Sequence, residues 1–84
     1  MTDELTTKVI QIVQDTLRTE SGKSDLAVTF DDGMETVADW DSMTFMKIFL
    51  SVNEAFEINP DFDEAIHYTS ISTLVDFLRT ETAG

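Results

Sequence analysis

The chain has 84 residues, of which 42% are hydrophobic, and its 17 acidic residues against 5 basic ones give a net charge of −12. This length suits one small domain, and so apolar a composition is not that of a disordered chain. Nucleic acids and anionic lipids would repel so acidic a surface, which excludes nucleic-acid binding. A basic protein surface is the natural complement.

The absence of cysteine excludes a thiol nucleophile, a disulfide and a zinc–thiolate site. The longest apolar runs are three residues, such as Ile48 to Leu50, and are too short to cross a membrane. The first residues, Met1 to Glu4, lack the basic and apolar stretches of a signal peptide. We therefore expect a cytoplasmic protein without a membrane span.

Apolar residues at three- to four-residue spacing predict a first helix that ends near Leu17, with Thr2, Asp3 and Glu4 suited to its start. The segment 19–41 shows no sustained period, so we expect a long loop with one short helical turn. Six apolar residues could attach this loop to a core: Leu26, Val28, Phe30, Met34, Val37 and Trp40.

A second helix is predicted to begin at Asp41 or Ser42, either of which could cap it, and to run to about Phe56. Its core face would consist of Phe45, Ile48, Phe49, Val52, Ala55 and Phe56. Its polar stripe would consist of Thr44, Lys47, Ser51 and Glu54. On the shoulder between these faces lie Met43, Met46 and Leu50, which the short third helix could cover.

Pro60 breaks the chain, and a short third helix is predicted from about Phe62 to Tyr68. Thr69 or Ser70 would cap a fourth helix, whose last residues are expected to fray. The periodicity thus predicts an all-α bundle with three main helices, one short helix and a long first loop.

Few residues suggest catalysis or metal binding. His67 is the only histidine, no serine has the glycines of a nucleophile elbow, and we expect neither enzyme activity nor catalytic residues. The acids of residues 31–41 lack the alternating spacing and central glycine of a calcium loop, so no dedicated metal site is predicted.

Ser42 is the one candidate for chemistry, because it follows Asp41 at the predicted start of the second helix. Unpaired amide groups and the helix dipole at such a position suit a phosphate ester. A serine at a helix start is also a common cap. The local sequence alone leaves both interpretations open.

The motif Asp41-Ser42-Met43, placed at a helix start in an acidic helical chain, resembles the Asp-Ser-Leu motif of the acyl carrier protein family. These proteins serve fatty-acid, polyketide and related thioester pathways. Methionine replaces leucine here, and Trp40 before the motif is familiar in one branch of the family. The resemblance extends over essentially the whole chain. It implies an acyl-carrier-like four-helix bundle and a single carrier domain over residues 1–84.

The resemblance also implies a carrier function. Ser42 would receive phosphopantetheine from coenzyme A through a separate phosphopantetheinyl transferase that uses Mg²⁺, and Asp41 would support recognition by that transferase. The thiol of this arm would hold an acyl or aminoacyl group as a thioester, so a chain without cysteine could carry out thiol chemistry. We expect the carrier to be monomeric.

In this family the second helix meets basic patches on enzymes that load, condense or transfer the cargo. The expected partner-binding residues are Met43, Met46, Lys47, Leu50 and Glu54. Lys47 stands where such helices often carry an acid, which suggests a specialised pathway rather than bulk fatty-acid synthesis. The alternative function is an acidic helical interaction or adaptor module in which Ser42 stays unmodified.

The resemblance makes one further expectation possible, about the cargo. Family members can shelter an acyl chain between their helices. In this chain bulky residues would fill that space: Phe49, Tyr68, Leu74 and Phe77. We therefore expect poor shelter for long chains and a preference for short, polar or aminoacyl cargo.

Overall fold

The computed structural model of the chain describes residues 4–59 and 62–83. Four helices lie within these residues: α1 (Glu4–Ser21), α2 (Ser42–Ala55), α3 (Phe62–Ala65) and α4 (Ile71–Ala83). No strand occurs in the described ranges, where an isolated bridge pairs Gly33 with Ser70. The all-α prediction is confirmed. The expected roles of Thr2, Asp3 and Pro60 lie outside the described residues.

The helix ends differ in places from the sequence prediction. α1 continues one turn beyond Leu17, until Gly22 adopts a φ of 73° and donates its N–H to the Arg18 carbonyl at 2.9 Å. Glycine favours this left-handed conformation after a helix because it has no Cβ. α3 ends at Ala65, before the predicted end at Tyr68, because the Tyr68 N–H closes a turn onto the Ala65 carbonyl.

The core lies where α1 packs against α2 and α4. α1 contributes Val9, Val13 and Leu17, which are fully buried at helical spacing. The buried apolar residues of α2 and α4 are Phe45, Ile48, Phe49, Val52, Ile71, Leu74, Val75 and Leu78. α4 extends to Ala83, and Arg79 donates to the Thr6 hydroxyl of α1 at 3.5 Å.

Two residues of α2 lie on faces other than those predicted. Thr44 is buried although it was placed on the polar stripe, and its backbone N–H donates to the Asp41 carboxylate. Ala55 is exposed at the end of the predicted core face. Asn53 is also fully buried, and its amide group donates to the Phe49 carbonyl at 2.7 Å.

The loop of residues 22–41 lies against the helices, as its apolar residues suggested. Val28 and Trp40 are buried, while Leu26, Met34 and Val37 pack partly buried against the core. Phe30 is the exception at 42% exposed. The predicted short helical turn is a single turn in which the Val37 N–H donates to the Gly33 carbonyl at 3.0 Å.

Backbone hydrogen bonds join the middle of this loop to the start of α4. The Met34 N–H donates to the Thr69 carbonyl at 2.9 Å, and the Ile71 N–H donates to the Asp32 carbonyl at 3.0 Å. α4 itself is capped by Ser70, whose hydroxyl accepts from the Thr73 N–H at 3.3 Å. The chain before α2 is therefore fixed at its centre and not only at its ends.

None of the helices in the described part of the chain is long and apolar enough to cross a membrane.

Candidate functional site

Asp41 is the residue that caps α2. Its backbone is extended, with φ −98° and ψ −175°, and its carboxylate accepts the Thr44 N–H at 2.9 Å. Its carbonyl accepts the Phe45 N–H at 2.7 Å, which is the first hydrogen bond of the helix. The sequence left the cap open between Asp41 and Ser42, and this geometry assigns it to Asp41.

Ser42 is the first residue of α2 and has no capping role. Its side chain is exposed, and its hydroxyl makes no hydrogen bond to any residue that the structure describes. A group attached through this oxygen would compete with no hydrogen bond and displace no packed side chain. The residues present therefore fit covalent attachment of a phosphodiester.

The helix end itself offers less to a phosphate than the sequence suggested. The Thr44 N–H is one of the donors expected to be free at the start of α2, but it already donates to the Asp41 carboxylate. An ionised carboxylate at this position also offsets the positive end of the helix dipole. Ser42 therefore offers an accessible hydroxyl rather than a preformed anion cradle.

Asp41 is ionised more readily than an ordinary aspartate. Hydrogen bonds from Thr44, chiefly from its backbone N–H, lower the pKa of the Asp41 carboxyl. Because the pKa is lower in the folded chain than in the unfolded chain, this interaction stabilises the fold above the unfolded pKa. The stabilisation is lost as the pH falls through the folded pKa.

Substitution of Asp41 by asparagine is expected to flatten the decrease in melting temperature on acidification. Asparagine keeps a capping oxygen but does not titrate, whereas Asp41→Ala removes the cap and lowers the melting temperature already at neutral pH. Thermal unfolding followed by circular dichroism, from neutral pH down through the folded pKa of Asp41, measures both effects. Asp76→Asn is the matched control, since the Asp76 carboxylate accepts no hydrogen bond from the described residues. An equal flattening in that control would contradict the assignment.

Trp40, which immediately precedes the cap, attaches the site to the core. This side chain is only 2% exposed, and it fixes the residue immediately before the cap into the core. Its indole N–H has no hydrogen-bond partner among the described residues. Beside it, Asp39 forms an ion pair with Lys23 from the start of the loop, at 2.9 Å. Ser42 is thus an exposed residue that follows a buried anchor at Trp40.

The five expected partner-binding residues follow one another along the outer side of α2. Met43 is 73% exposed and Leu50 is 38% exposed, while Met46 is half-buried against the core. Lys47 and Glu54 are exposed. Met43 and Leu50 are therefore both available for contact, Met43 next to Ser42 and Leu50 about two turns further along α2.

Lys47 does not stand alone on this face. Its ammonium group forms an ion pair with the Glu20 carboxylate at the end of α1, although the two residues are 27 apart in the sequence. Glu20 and its neighbours on α1 were not among the predicted site residues. The extra last turn of α1 places them beside Lys47. No pattern in the sequence indicated which helix would lie next to α2.

The four bulky residues expected between the helices comprise three aromatic rings that pack together and Leu74, which is fully buried. Phe49 of α2 lies 6.3 Å from Tyr68 and 6.2 Å from Phe77 of α4, measured between ring centroids. Tyr68 and Phe77 are 4.6 Å apart. The predicted bulk between the helices is confirmed.

The other residues considered for chemistry are dispersed. His67 is exposed and meets the Tyr68 ring edge-on at 6.4 Å. In the described ranges, no three acidic or histidine side chains are grouped so that they could hold a metal ion. Asp32 is instead used inside the loop, where hydrogen bonds from Thr29 and Thr36 lower the pKa of its carboxyl.

No protein-family model, curated protein sequence or solved structure matches this chain.

Proposed function

We propose that this chain is a carrier protein that bears acyl or aminoacyl intermediates as thioesters on phosphopantetheine attached to Ser42. The observation that carries the proposal is the exposed Ser42 hydroxyl, which has no hydrogen bond within the described structure and follows the capping residue Asp41. The motif resemblance, the acidic charge and the absence of cysteine agree with it. The chain itself has no catalytic role.

The attachment reaction is a transfer from coenzyme A by a separate phosphopantetheinyl transferase with Mg²⁺. The Ser42 hydroxyl gives up its proton to the transferase and its oxygen bonds to the phosphorus that bears the pantetheine. The P–O bond of the phosphoanhydride in coenzyme A breaks. The part of coenzyme A that contains adenosine leaves with the electron pair of this bond. Asp41 holds the first turn of α2 in place and supports recognition by the transferase.

The cargo that suits this carrier is short, polar or aminoacyl. The rings of Phe49, Tyr68 and Phe77 occupy the region where a long acyl chain would otherwise be sheltered. A fully enclosed chain would have to displace one of these rings. Cargo that stays outside the fold avoids that cost.

The proposed partners are the transferase and the enzymes that load, condense or transfer the cargo, with basic patches that meet the acidic chain. Met43, Met46, Lys47, Leu50 and Glu54 form the contact surface, in which flexible methionines adapt to several partners. We place this carrier in a specialised cytoplasmic pathway. It acts as a monomer whose helices form an acyl-carrier-like four-helix bundle.

Incubation with coenzyme A, Mg²⁺ and a broad-specificity phosphopantetheinyl transferase tests the proposal. Intact-mass spectrometry is expected to show the addition of one phosphopantetheine, and the Ser42→Ala chain is expected to remain unmodified. Ser51→Ala is the matched control, because it removes a hydroxyl elsewhere on α2 and should be modified normally. A folded wild-type chain that stays unmodified would favour the alternative of an acidic adaptor module.

A further inference from the structure

An open groove of about 460 Å³ lies between α1 and α2. Its surface is mainly apolar, and Leu50 is a large apolar side chain in it, 38% exposed. The remaining lining residues are Asp15, Thr16, Thr19, Glu20, Lys47, Ser51 and Glu54. Both helices thus contribute to one concave surface.

The charges of this groove are not balanced internally. Glu20 is paired with Lys47, but the carboxylates of Asp15 and Glu54 accept no hydrogen bond and form no ion pair among the described residues. The groove therefore combines an exposed apolar side chain, Leu50, with two acidic side chains that have no partner among the described residues. A second copy of this chain, with its net charge of −12, would be repelled from it.

We infer that this groove docks a basic segment of a partner protein, one that presents an apolar side chain flanked by arginine or lysine. The apolar side chain would cover Leu50, and the two cations would pair with Asp15 and Glu54. Such pairing steers association and selects partners by charge. The contact surface would then extend from α2 to α1, whether or not Ser42 is modified.

Lys47 has a definite role in this arrangement. Its ion pair with Glu20 spans the groove from α2 to α1, so an incoming cation has to compete with Lys47 for the Glu20 carboxylate. Lys47 therefore opposes basic segments in general. A segment that also covers Leu50 gains an apolar contact, which offsets the competition from Lys47.

The test uses a short helical peptide of alanine and glutamine that carries one leucine between two arginines on the same face. Titration into isotopically labelled protein, followed by amide NMR shifts, is expected to perturb Thr16, Leu50 and Ser51. The affinity is expected to fall about fivefold in Asp15→Asn/Glu54→Gln, which removes two surface charge pairs. It is expected to fall about tenfold in Leu50→Ser, which removes the apolar contact.

Controls of equal charge separate docking from general attraction. Glu35→Gln/Asp76→Asn removes two exposed acids elsewhere and should leave the affinity within about twofold. Lys47→Ala should strengthen binding, whereas Lys8→Ala, which changes the net charge equally at a lysine over the Phe56 ring, should not. Equal losses in both acid pairs, shifts spread over the whole chain, or self-association in place of peptide binding would each overturn the inference. Ser42→Ala should bind as the wild type does, so the outcome is independent of the carrier proposal.

Discussion

Replacement of Gly33 by alanine is expected to lower the free energy of unfolding by about 2–4 kcal/mol, since it adds a methyl group to a closely packed backbone and disturbs two hydrogen bonds. A Cβ at Gly33 would lie 2.7 Å from the Ser70 Cβ and 2.8 Å from the Thr69 carbonyl oxygen. Neither atom lies at the end of a flexible side chain, so the loop has to move away from the start of α4. Chemical denaturation measures the loss.

Hydrogen exchange gives the same test at single residues. The bonds that hold the bridge, from Met34 to Thr69 and from Ile71 to Asp32, should lose amide protection in Gly33→Ala. Gly22→Ala is the contrasting variant, because nothing lies within 4 Å of its Cβ although its φ is 73°. Its cost should be about 1 kcal/mol, from backbone conformation alone. Equal costs for the two glycines would contradict the close-contact explanation.

Substitution of Phe49 by alanine is expected to cost about 3–5 kcal/mol, as for other large core side chains. Phe49 is fully buried and contacts the rings of Tyr68 and Phe77, so its removal leaves a cavity between α2 and α4. For a domain of this size such a loss approaches the whole stability. Phe49→Leu, which keeps more volume, should show a smaller loss in the same direction.

The same variants test the cargo proposal. A lauroyl group attached through phosphopantetheine should raise the melting temperature of Phe49→Leu more than that of the wild type, because only the variant offers interior space. Phe30→Leu is the matched control, since Phe30 is 42% exposed in the loop and its change opens no cavity. Strong stabilisation of the wild-type chain by the long acyl group would contradict the proposal that the rings exclude it.

Local patterns in the sequence predicted the helices well. The spacing of apolar residues located α1, α2 and α4, and the cluster of cap-forming residues at Asp41 and Ser42 located the start of α2 to within one residue. The isolated apolar residues of the loop, above all Val28 and Trp40, were correctly expected to pack on the core. These features depend on residues within one or two helical turns of each other, so the sequence alone is enough to predict them.

Features that depend on distant residues were not predictable in this way. The fit of Gly33 against Ser70 requires the register between the loop and α4, and the Lys47–Glu20 ion pair requires the placement of α1 beside α2. The burial of Asn53 likewise follows from its surroundings in the fold and not from its polarity. The α1 side of the groove between α1 and α2 was not predictable for the same reason.

The most direct test of the central claim is localisation of the modification by fragmentation of proteolytic peptides after reaction with coenzyme A and transferase. Phosphopantetheine is expected on the Ser42 oxygen and on no other serine, in a chain whose helical circular dichroism is unchanged. An unmodified Ser42 in a demonstrably helical chain, or an arm attached at a different hydroxyl, would contradict it.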